Sequence, residues 1–64
     1  MNIPDALLEA ASKLERKGYR FVRIAPNGPD PKLGYTVYLC KRLRTGLRLA
    51  QVEMDCDGNI TTHR

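Results

Sequence analysis

Apolar and polar positions alternate most clearly over Tyr35–Cys40, where Tyr35, Val37 and Leu39 interleave with Thr36, Tyr38 and Cys40. A period of two written in β-branched and aromatic residues predicts a half-buried strand. Gly34 precedes it, and the run Lys41–Arg48 (KRLRTGLR) follows it. The Thr45-Gly46 pair predicts a hairpin whose short connection needs one positive-φ residue. The return strand reads Leu47, Leu49 and then Ala50, Val52, Met54, so the apolar parity changes between Leu49 and Ala50. A β-bulge at that point would produce such a switch. So would one parity set lying over a sheet edge.

Upstream the period lengthens. Ile3, Leu7, Ala10, Ala11 and Leu14 fall on one stripe at 3.6 residues per turn, with Leu8 on its edge, which predicts a helix from about 4 to 17. Asn2 stands as its N-cap, Pro4 in its first turn and Gly18 as its positive-φ terminator. Asp5 and Glu9 precede Lys13, Arg16 and Lys17, the order that the helix dipole favours. With one thin apolar face, this helix needs a sheet to lie on.

Tyr19–Ala25 (YRFVRIA) supplies a first strand of ambiguous facing, because Phe21 and Val22 are adjacent. Either Val22 and Ile24 face the helix and Tyr19, Phe21 and Arg23 face away, or the opposite register buries both aromatics. Pro26–Leu33, with three prolines, a glycine and Asn27, predicts an extended, mobile connection. Asp57-Gly58 predicts the centre of a type I′ turn, and Ile60 and Thr62 have the parity of a short last strand. The expected fold is α+β: one N-terminal helix packed on one face of a 3–4-stranded antiparallel meander, in the order α-β-β-β-β, forming a single small domain over residues 1–64.

Charge sharpens this picture. The net charge of +4 divides unevenly: residues 13–48 hold ten Lys and Arg against Glu15 and Asp30, a net +8, and the segment on either side is −2. Such a distribution makes a local field much stronger than the net charge implies. A chain of 64 residues buries only about 60% of its unfolded surface, so its core is small. No stretch has the length and apolarity to cross a bilayer, and no secretory pattern opens the chain. The expectation is a soluble cytoplasmic protein without membrane association. Cys40 and Cys56 are expected as reduced thiols, although a bridge between adjacent strands is conceivable.

Candidate chemistry is sparse. Asp55-Cys56-Asp57-Gly58-Asn59-Ile60 resembles the heart of an EF-hand loop, but that alignment puts Arg64 where a bidentate carboxylate is required. The segment therefore reads as a turn, and no metal or cofactor is expected. The single histidine is His63, and no nucleophile has a neighbouring base in sequence, so no catalytic residues are expected. The more informative constellation is a sheet face. If Tyr35, Val37 and Leu39 pack inward, Tyr38 faces outward, and a matching register would bring Tyr19 and Phe21 beside it, bordered by Arg23, Lys41, Arg42, Arg44 and Arg48. Rings and guanidinium groups on one open face suit unpaired bases and their phosphates. The expected partner is a nucleic acid or an acidic protein surface, the latter making the chain a regulator or inhibitor. A sheet-to-sheet homodimer, or the same aromatics forming the core, are the competing readings.

Overall fold

A computed structural model describes residues 3–64. Among these residues the order is α1 (Asp5–Arg16), β1 (Arg20–Pro26), a 3-10 turn (Pro31–Leu33), β2 (Tyr35–Leu43), β3 (Gly46–Met54) and β4 (Ile60–His63). The strands form one antiparallel sheet in sequence order, β1-β2-β3-β4. This is the expected α+β arrangement. Asn2, the expected N-cap, lies outside the described residues.

The helix ends as a Schellman motif. Gly18, at φ +96°, donates its N–H to the Glu15 carbonyl, and the Tyr19 N–H reaches back to the Leu14 carbonyl. In this motif the residue after the glycine packs against the residue three positions before the cap. Tyr19 and Leu14 are both buried accordingly. The turn that stops the helix thus delivers the Tyr19 ring into the core.

Strand β1 then changes parity. Phe21 is opposite Leu39 and Arg23 opposite Tyr38, so Val22 is an extra residue, a bulge in the edge strand. The parity switch lies here and not between Leu49 and Ala50, because β2 and β3 pair without a shift from Tyr35↔Met54 to Leu43↔Gly46. Leu47 and Leu49 are simply on the other face, 65% and 70% exposed. Neither expected register of β1 is complete: the bulge allows Tyr19 and Ile24 to lie on the helix side while Arg23 lies on the open side.

Leu7, Ala11 and Leu14 of the helix close over Tyr19, Tyr35, Val37, Leu39, Ala50 and Val52, with Ile3, Ala10, Ile24, Met54 and Ile60 around them. The opposite face of the sheet has no covering layer among the described residues, except at one end. There the Pro26–Leu33 connection is fastened at its base. Asn27 donates from Nδ2 to the Leu33 and Met54 carbonyls and accepts from the Thr36 hydroxyl, which leaves Thr36 buried. This connection is tied down where the prolines predicted a mobile one. Gly34 permits the approach: it has φ +96°, and a Cβ there would collide with the Met54 carbonyl.

The last turn differs from the expected type. Type I′ requires positive φ at both central residues, and Asp57 does not have it, since positive φ among the described residues is confined to glycines. Instead Gly58 N–H donates to the Asp55 carbonyl, Gly58 takes φ +84°, and Asp55 N–H donates to the Asn59 carbonyl. This is a three-residue loop with glycine at the left-handed position.

Candidate nucleic-acid interface

Strands β2 and β3 outrun their neighbours. Strand β1 pairs no further than Arg20↔Cys40, and β4 no further than Gln51↔His63. Beyond those pairs, residues 41–48 continue as a two-stranded ribbon through Lys41↔Arg48, Arg42↔Leu47 and Leu43↔Gly46. At about 3.3 Å per residue the ribbon projects on the order of 10 Å from the body. It contributes to an elongated outline of 38 × 20 × 18 Å.

Strand alternation places the cations of this arm on both of its faces. Arg42 shares the open-side row with Tyr38 and Cys40. Lys41 and Arg48 belong to the row of Val37 and Leu39, but past the end of the helix. Arg44 is in the turn, and no acidic residue occurs between positions 31 and 52. Lys41 and Arg48 are direct cross-strand partners, an arrangement of like charges that destabilises a sheet. Lys41 finds partial relief where its Nζ lies 5.6 Å from the centroid of the Tyr19 ring. At the root of the arm, Gly18, Arg20, Cys40, Lys41, Arg42 and Leu47 line a groove of 470 Å³. Three of those six residues are cationic and none is acidic.

The eight expected site residues are not all brought together. Arg23, Tyr38 and Arg42 share the open face. Arg23 covers the Tyr38 ring, its guanidinium carbon 4.5 Å from the centroid. Lys41, Arg44 and Arg48 belong to the arm. Tyr19 is not on the open face: the Schellman turn buries it beneath the helix, 6% exposed. Phe21, opposite Leu39, falls on the edge strand in register with a helix-facing residue and is 53% exposed. The row of three free rings is therefore absent, and one ring remains on the open face under an arginine. Arg20 was missed by sequence reasoning and joins the site because β1 pairs it with Cys40. Leu47, in the same groove, was missed as well; its parity with Arg42 across a two-residue turn was the available signal.

Three of the seven acidic residues gather at the far end of β3. Glu53, Asp55 and Asp57 lie at the opposite end of β3 or in the turn after it, and Glu53 faces His63 at 3.6 Å. Asp55 Oδ1 accepts from the Asp57 and Asn59 backbone N–H groups, and Oδ2 from the Asn59 amide. The Asn59 backbone bond foremost, with the side-chain bond and the other turn amides, holds the Asp55 carboxyl below its ordinary value. Among the described residues no group of three or more His, Cys, Asp or Glu is placed to hold a metal, and no helix is long and apolar enough to cross a membrane. Cys40 is half-buried and Cys56 exposed, both as free thiols. No family model, curated protein or solved structure matches the chain.

Proposed function

We propose that this chain is a non-enzymatic nucleic-acid-binding module that engages its ligand with the basic arm. The observation that carries the reading is the distribution of charge on residues 41–48, with cations on both faces and at the tip of a projecting ribbon. A flat acidic protein surface can neutralise only one face of such an arm. A nucleic-acid groove has phosphates along both walls. The expected base-stacking platform plays no part, because Tyr19 is in the core, Tyr38 lies under Arg23, and exposed Phe21 is in register with Leu39 and not with Tyr38.

The salt dependence of binding tests this. Five cations, Arg20, Lys41, Arg42, Arg44 and Arg48, set a log–log slope of about −4 to −5 for a duplex, or a loss of roughly 10²–10³ in affinity between about 50 and 200 mM salt. Reversing Arg42 and Arg44 to Glu should abolish binding. A flat salt response, or no binding to any DNA or RNA, overturns the reading. A stoichiometric acidic protein partner that nucleic acid does not displace would replace it.

A further inference from the structure

Resting on that reading, we infer that the ligand is double-stranded DNA in its B form, and that the arm enters the major groove. Three features of the molecule point there.

The first is fit. The major groove of B-DNA is about 12 Å wide and 8.5 Å deep, and it admits a two-stranded ribbon. The arm is such a ribbon, bounded by the pairs Lys41↔Arg48 and Leu43↔Gly46, and its projection of about 10 Å matches that depth. The major groove of an A-form RNA duplex is deep and too narrow to accept side chains borne on a ribbon.

The second is the distribution of cations and rings. Inside a groove, Arg42 on one face and Arg48 on the other reach opposite walls, while Arg20 at the shoulder and Lys41 over the Tyr19 ring meet the backbone at the rim. Single strands are held by rows of exposed rings with bases stacked on them. This chain buries Tyr19 and Tyr35, the Tyr38 ring carries the Arg23 guanidinium, and Phe21, exposed on the edge strand, stands alone and not in a row.

The third is Leu47. It is opposite Arg42 on the open side of the arm, 65% exposed and outside the core. An apolar side chain held at the floor of the major groove contacts the thymine methyl group, which only that groove displays. Leu47, exposed beside Arg42 and followed on the same face by exposed Leu49, thus has a base-reading role that contacts with phosphate alone would not need.

The experiment compares binding of the whole chain to a DNA duplex of about 20 base pairs, two helical turns, to the RNA duplex of the same sequence, and to each single strand at one salt concentration. Dimethyl sulfate protection then reports guanine N7 in the major groove, and adenine N3 in the minor groove. The expected result is a preference for the DNA duplex of about tenfold or more, with N7 protected and N3 reactive. Leu47→Ala should leave the salt slope unchanged and reduce the difference between thymine-containing and uracil-containing DNA duplexes. Equal or tighter binding to RNA duplex or single strands overturns the inference and leaves the nucleic-acid reading standing. Protection confined to N3 overturns the groove assignment. Absence of binding to every one of these probes overturns the nucleic-acid reading itself.

Discussion

The Arg23 guanidinium carbon lies 4.5 Å from the centroid of the Tyr38 ring, one strand away on the open face of the sheet. The contact occupies the side chain that an open platform would have offered to a base. A surface cation–π pair of this kind contributes about 0.5–1 kcal/mol. Arg23→Ala should lower the urea-unfolding free energy by that amount and leave the fold intact. A variant as stable as the parent would show the pair to be energetically silent.

Lys41 and Arg48 stand opposite each other with like charge, so stability and binding should respond in opposite senses to one substitution. Arg48→Glu converts the repulsive pair into an attractive one and should stabilise the fold by about 0.2–1 kcal/mol. The same change removes a phosphate-binding charge and adds a repelling one, so nucleic-acid affinity should fall at low salt. Thermal melts and binding isotherms on one preparation check both signs.

Two glycines separate strain from collision. Gly18 and Gly34 share φ +96°, yet a Cβ at Gly18 meets only the flexible end of Lys41, whereas at Gly34 it meets the Met54 backbone. Gly18→Ala should destabilise by about 1–2 kcal/mol, the left-handed penalty alone. Gly34→Ala should exceed about 3 kcal/mol, since the backbone must move as well. Chemical denaturation ranks the two, and equal effects would contradict the close approach at Gly34.

The turn at Asp55 gives the protein an acid-sensitive corner. Its carboxyl is held below the ordinary value of 3.8 by the Asn59 and Asp57 amides, so folding favours the ionised form. The stabilisation is complete above that ordinary value and is lost as pH falls through the lower, folded one. Melting temperature should therefore decline below about pH 4, and Asp55→Asn should decline less steeply over the same interval. Parallel pH profiles for parent and variant would assign the acid sensitivity to other groups.

Leu7 is wholly buried at the centre of the helix–sheet contact. Leu7→Ala should remove about 2–5 kcal/mol. In a core of this size that is most of the stability, and loss of cooperative unfolding is the expected readout.

Much of the fold was legible because periodicity reports burial directly. The helical stripe of Leu7, Ala11 and Leu14 and the alternation of Tyr35, Val37 and Leu39 are core positions in both descriptions. The arm was legible as a hairpin, and its charge as a run. The facing of β1 was not, because it depends on two events that add: a Schellman turn that directs Tyr19 inward, and a bulge at Val22 that resets parity before Arg23. The Leu14–Gly18–Tyr19 spacing carried the first signal. The adjacent Phe21 and Val22 carried the second, as an apolar parity change of the kind also seen at Leu49 and Ala50, where no bulge exists. Nothing local carried the bond from Asn27 to the Met54 carbonyl, 27 residues distant in sequence.

The arm shares none of the residues packed beneath the helix. Adding or deleting one residue on each side of its tip alters reach by about 3.3 Å and exchanges which side chains look up and which look down near the turn. Two on each side restores the original facing. A lineage built on this scaffold can therefore retune how deep its probe goes, in steps of two, while its foundation stays untouched.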